Sequence, residues 1–185
     1  MYAGHAGLAL FATSRRPRVP IAVLVPVAFA PDWIQWTLGA LGITQNTSIS
    51  HSLVSVLLGA TVIGAAYWGV ARSFAAGAIV WLTYLSHWPA DFITAVKPIW
   101  PNGRELGLNL YQHPMLDVVV ESLFVVVCWI AYHRSLTTEA RARRTVWLIP
   151  VGLVALQIGF MLIQMPQVKE PIREMIALPS QLLLQ

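Results

Sequence analysis

A few side chains able to hold a cation or move a proton recur at regular spacing in an otherwise oily chain. His87 and Asp91 stand four residues apart in "SHWPADF". His113 and Asp117 repeat that spacing in "YQHPMLD", and Glu121 follows four residues later. On a helix, residues four apart lie one above the other on the same face. With 8 acidic residues in 185 positions, a given histidine has about a 4% chance of an acid four residues on, yet two of the 5 histidines have one. Asp32 ("APDWIQW"), His51 ("ISHSLV") and His5 ("GHAGLALFA") complete the set. Histidine nitrogen with carboxylate oxygen is the ligand set of Zn²⁺, Mn²⁺ or Fe²⁺. The residues to hold it are His5, Asp32, His51, His87, Asp91 and His113. Four histidines and three aspartates exceed the needs of one tetrahedral ion, so the pattern fits two ions, or one ion with outer partners.

A metal-activated water is the expected nucleophile. The single cysteine, Cys128, lies inside an apolar run, and Ser52 beside His51 lacks the strand–turn–helix setting of a nucleophilic serine. Asp117 or Glu121 is the expected general base, and Arg104 could hold an anionic substrate. Each residue also has a plainer reading. A lone histidine in an apolar helix usually bonds a backbone carbonyl, Asp32 could be a turn residue after Pro31, and Asp117 could cap the helix after Pro114. Glu121 could pair with a base. His133, in "AYHRSL", reads as a solvated loop residue.

The elements that must position these groups are membrane helices. The chain is 57% hydrophobic and 11% charged, with mean hydropathy +0.64, against about 25% charged in a soluble domain. That leaves too little polar surface to coat a water-soluble globule. Crossing a bilayer takes roughly 20 mostly apolar residues. Runs near 19–41, 52–70, 74–93 and 115–132 qualify, and a fifth near 145–165 follows. Residues 3–13 are too few to span and predict a half-helix, while Pro98, Pro101 and Asn102-Gly103 predict turns between the third and fourth spans. The expected fold is one all-α, multi-pass integral membrane bundle over residues 1–185, with four to five spans, an arginine-rich loop at 133–144 and an interfacial tail after Pro166.

Arginine placement sets the expected orientation. "RRPR" (15–18) precedes span one, Arg72 joins spans two and three, and Arg134, Arg141, Arg143 and Arg144 join spans four and five. All three connections fall on one side, which the positive-inside rule makes cytoplasmic; Lys97 and Arg104 count against it. Short basic patches beside hydrophobic runs fit an inner membrane face rather than nucleic acid. Asp32, His51, His87, Asp91, His113 and Asp117 then converge on the opposite, periplasmic side, and His5 reaches that level if residues 5–15 are helical.

The order of these motifs resembles the YdjM-type family of bacterial inner-membrane metal-dependent hydrolases. The similarity lies in His5, Pro31-Asp32, His51-Ser52, His87 with Asp91, and Trp100-Pro101. The motif order is also distantly similar to that of zinc-dependent phospholipase C. The resemblance implies hydrolysis, with Asp32, His51, His87 and Asp91 holding one ion and Asp91 bridging to a second near His5. His113 with Asp117 would stand in for the phospholipase's last HxxxE pair.

The expected activity is therefore membrane-bound, metal-dependent hydrolysis of an ester or phosphoester of an amphiphilic substrate, with zinc as the expected ion, among membrane lipids. Two other classes compete. A haem or electron-transfer protein would use His51 and His87 as axial ligands, which leaves the neighbouring carboxylates without a role. A metal or proton transporter would need polar residues across both leaflets, and the inner halves of the runs carry almost none.

Overall fold

Prolines decide where several helices stop. The computed structural model describes the backbone of residues 2–15 and 17–177, and the side chains of residues 3–15 and 17–162. α1 (Tyr2–Thr13) has 12 residues, about 18 Å of helix, so it stops short of crossing a bilayer, as the sequence predicts. α2 (Ile21–Ala28) and α3 (Ala30–Ala40) occupy the first expected span but bend by 56° at Phe29. Pro31, with no N–H to give the preceding turn, accounts for the break. α4 (Ser48–His51) is a single turn, and α5 (Leu53–Ala71) is a full-length helix.

The expected third span, 74–93, is interrupted. α6 (Phe74–Leu85) and α7 (His87–Thr94) meet at Ser86, and Pro89 cannot donate to the carbonyl four residues back. Neither helix is long enough to cross alone. β1 (Lys97–Pro98) and β2 (Glu105–Leu106) then form a small antiparallel hairpin, followed by a 3₁₀ turn at Leu110–Gln112. α8 (Pro114–Ser135), α9 (Thr138–Ala142) and α10 (Arg144–Ala177) complete the chain. Part of the expected 133–144 loop is thus helical. α10 continues through Pro166, and the interfacial face expected of the tail lies outside the described side chains.

Among the described residues, three helices are long and apolar enough to cross a membrane: α5, α8 and the Arg144–Leu162 part of α10. The bent α2–α3 pair makes a fourth if it counts as one span. The sequence expectation of up to five falls short at the α6–α7 break.

α1 packs against α2, α6, α8 and α10 and so lies inside the bundle. Ala9, Leu24, Val56, Val80 and Tyr84 form its apolar centre. α5 and α6 cross where glycines face each other's tryptophan: a Cβ on Gly77 would lie 2.6 Å from Trp68 Cβ, and one on Gly64 2.8 Å from Trp81 Cβ. Small residues allow this close approach, a means of helix association that works without a hydrophobic drive. Outward faces remain oily, with Val62 66% and Leu123 63% exposed. Arg18 donates to the Ser135 carbonyl at 2.6 Å, so the first basic segment lies beside the end of α8.

Candidate metal centre

The two helix breaks build the centre. At the α2–α3 bend the Ala28 carbonyl, last in its helix, lacks an intrahelical donor and lies 2.9 Å from His87 Nδ1. His87 opens α7, so Asp91 falls one turn along the same face. A carbonyl oxygen only accepts, so Nδ1 carries a proton and Nε2 points inward. That nitrogen faces Asp91 Oδ2 at 3.5 Å and Asp32 Oδ1 at 3.8 Å.

Asp32 lies in the first turn of α3, placed there by the same bend. His51 ends α4, and Ser52 beside it caps α5, its hydroxyl accepting from the Ser55 N–H at 3.2 Å. The "HS" pair is thus a ligand candidate followed by a helix cap. His51 Nδ1 lies 2.7 Å from Ser50 Oγ, which donates in turn to Gln35 Oε1 at 2.9 Å. His51 Nε2 lies within hydrogen-bond distance of Asp32 Oδ1, at 3.0 Å, and 4.0 Å from Asp91 Oδ2. Burial lowers the His51 pKa against the pull of the Asp32 hydrogen bond. The ring is therefore neutral at pH 7, the form that binds metals.

His5 approaches from α1. Its Nε2 lies 3.2 Å from Asp91 Oδ1, and its ring stacks on His87 with centroids 3.9 Å apart. Two groups have ligand atoms all within 4.8 Å of one another: His5, Asp32 and His87, and His51, His87 and Asp91.

Whether a metal fits can be tested on His87. Its side chain is wholly buried, and Nε2 has no hydrogen-bond partner. A buried nitrogen held against two carboxylates calls for positive charge, which a metal ion, a ring proton or the Lys97 ammonium 2.8 Å from Asp91 Oδ2 can supply. Four ligands about 2.1 Å from a common centre lie about 3.4 Å apart, close to the spacings observed. The donor set fits a divalent ion, with zinc, manganese and iron all matching its chemistry. Both groups share the one free nitrogen of His87, which favours one ion over two.

The remaining candidates go elsewhere. His113 is exposed at the N-cap of α8 and joins neither group. Asp117 is buried, its Oδ2 accepting from Gln157 Nε2 at 3.0 Å. Glu121, 0% exposed, accepts from the Gly4 N–H at 3.3 Å and so holds the start of the helix that carries His5. Arg104 is exposed on the hairpin. His133 is not a solvated loop residue: it lies in the last turn of α8, its ring 5.0 Å from Trp129 and 4.9 Å from Trp147.

Sequence reasoning missed Lys97. Its Nζ lies 2.8 Å from Asp91 Oδ2, on β1 of a hairpin pinned by the Val54 N–H to Ile99 carbonyl bond at 3.0 Å. Six residues from Asp91, it shares no helical face with it, and only the turn-forming loop between signalled a return. Gln35 and Ser50, which orient His51, gave no signal at all. No family model, characterised protein or solved structure matches the chain.

Proposed function

We propose that the protein is a membrane-embedded hydrolase dependent on one divalent ion, most simply zinc, held by Asp32, His51, His87 and Asp91. The observation that carries this reading is the buried His87 Nε2, which faces two carboxylates while Nδ1 is held by the Ala28 carbonyl. A divalent ion there would supply Lewis acidity and bring the pKa of water toward neutrality. His5 supports Asp91 from the other oxygen, and Ser50 with Gln35 fixes the His51 ring.

Lys97 suits an anionic substrate. Its ammonium is the basic group placed on the ligand cluster, within reach of a phosphate or carboxylate oxygen. In hydrolysis, water adds across the ester: the acyl or phosphoryl group takes the hydroxyl, and the leaving alcohol takes the proton. Asp32, partly exposed, is the site carboxylate best placed to accept a proton from incoming water. Asp117 and Glu121 act instead through α8 and α1 as supports.

The arginine pattern supports a centre on the periplasmic side of an inner membrane, at headgroup depth, where amphiphilic esters present their polar bonds. A haem reading suits the site poorly. Asp32 Oδ1 lies 3.0 Å from His51 and 3.8 Å from His87, which leaves no room for a macrocycle between the rings. Purified protein should hydrolyse chromogenic alkyl esters or phosphoesters, lose the activity to a chelator and regain it with zinc. Turnover that survives complete chelation would remove the metal from the mechanism.

A further inference from the structure

Between α1 and α6 lies an apolar cleft of about 400 Å³, within the size range of small-molecule sites. Leu8, Ala12 and, just past the end of α1, Arg15 line one wall, and Ile79, Thr83 and, at the end of α6, Ser86 line the other. Both walls lead back to the candidate centre. On α1, His5, Leu8 and Ala12 step by three and four residues along one face, and Arg15 follows just after the helix ends. On the other wall, Ile79, Thr83 and His87 step by four. His5 and His87, beyond the lining residues, are the pair whose rings stack at 3.9 Å.

The cleft offers little to a polar group. Thr83 Oγ1 donates to the Ile79 carbonyl at 2.8 Å, and Ser86 Oγ to the Thr83 carbonyl at 2.7 Å. Both hydroxyl protons are therefore used within α6. A headgroup placed here would lose its hydrogen bonds to water with little return. A hydrocarbon chain would lose nothing. The charged group on the walls, Arg15, stands at the far end with its guanidinium 4.1 Å over the Phe11 ring. From His5 to Thr13, where α1 ends, the helix rises about 12 Å, and Arg15 just beyond sets a length at which a chain meets a cation.

We infer that this cleft holds the aliphatic chain of the substrate. The substrate is then an amphiphile with its ester beside the stacked imidazoles and one chain running between α1 and α6 toward Arg15. This inference rests on the hydrolase reading for the reaction, but not for the binding of the chain. Its signature is a chain-length optimum rather than a steady rise, because membrane lipid already surrounds the protein with equivalent hydrocarbon.

Two measurements on the full, zinc-loaded chain in detergent test it. The first compares matched series of p-nitrophenyl alkanoates and alkyl p-nitrophenyl phosphates, from acetate or methyl through octyl to hexadecyl. kcat/KM should peak at intermediate length. Ala12→Trp, which fills the cleft, should cost about tenfold on the best chain while leaving the shortest ester and the bound zinc unchanged. Ile79→Trp, from the opposite wall, should do the same. Equal losses on all lengths, or none, would overturn the inference. The second uses a dodecyl diazirine photoprobe and needs no turnover. Labelling should concentrate on the cleft residues, compete with unlabelled dodecanoate and vanish in Ala12→Trp. Labelling spread evenly over the outer faces of α5, α8 and α10 would overturn it. If no ester turns over but the cleft labels, the hydrolase reading fails and the chain site stands.

Discussion

The chain contains two HxxxD motifs of identical spacing, and only one of them forms a candidate metal site. In "HWPAD" the histidine is the first residue of α7, so Asp91 lies one turn along the same face, His87 meets Asp32 and Asp91 meets His51. In "HPMLD" the histidine precedes its helix: His113 has φ −125° and ψ 71°, and Pro114 starts α8. Its side chain is exposed while Asp117 turns inward to Gln157. Helical spacing brings two residues together only when both lie within the helix. The proline directly after His113 favours extended backbone at that histidine, whereas Pro89 sits two residues after His87 and leaves it helical.

The aspartates of the two motifs should show the largest difference. Asp91→Asn keeps the size but removes the charge that offsets a dication in a buried setting. Bound metal and hydrolysis should both collapse, by at least about 100-fold. Asp117→Asn keeps a hydrogen-bonding group for Gln157 and should retain the ion, with activity within about tenfold of the parent. A loss of about 100-fold or more with the metal still bound would mark Asp117 as a general base after all.

Much of this layout was legible in the sequence. The apolar runs, the short first helix and the gathering of His5, Asp32, His51, His87 and Asp91 all follow from composition, arginine bias and spacing. The helix breaks were harder to see, because Pro31 and Pro89 lie within runs hydropathy reads as continuous. Yet the breaks make the site, by giving His87 the Ala28 carbonyl as a partner. Lys97 was weighed only as a charge against the topology, since a hairpin's return cannot be read from helical periodicity. Glu121 looked catalytic because it continues the four-residue spacing, but its partner is a backbone N–H from the far end of the chain.

Ser50→Ala should have the next largest effect. Without the hydroxyl, the His51 ring loses its orienting partner, and metal affinity should fall about 10- to 100-fold, as for other outer partners of metal-bound histidines. Titration with a competing chelator reads it directly. An unchanged affinity would mean that packing alone holds the ring.

Lys97→Met moves the other way. The ammonium would compete with an ion for Asp91 Oδ2, so its removal should tighten metal binding, by up to about fivefold for one partly exposed pair. Turnover of phosphoesters should nevertheless fall, because the anion loses its cation. Weaker metal binding in this variant would show that Lys97 supports the site rather than competing with it.

The smallest effect belongs to Glu121→Gln. Glutamine still offers an oxygen to the Gly4 N–H, so metal content should stay at the parent level and thermal stability should fall by no more than about 1 kcal/mol. Glu121→Ala, which removes the acceptor, should cost more and loosen His5. Loss of the ion in the glutamine variant would place the Glu121 charge in the metal site.

The first HxxxD motif is expected to bind metal and the second is not. Metal stoichiometry by elemental analysis of purified parent, His87→Ala and His113→Ala proteins tests it most directly. Close to one divalent ion per chain is expected in the parent and in His113→Ala, and almost none in His87→Ala. A parent protein free of metal, or a His87→Ala protein that keeps its ion, would contradict it.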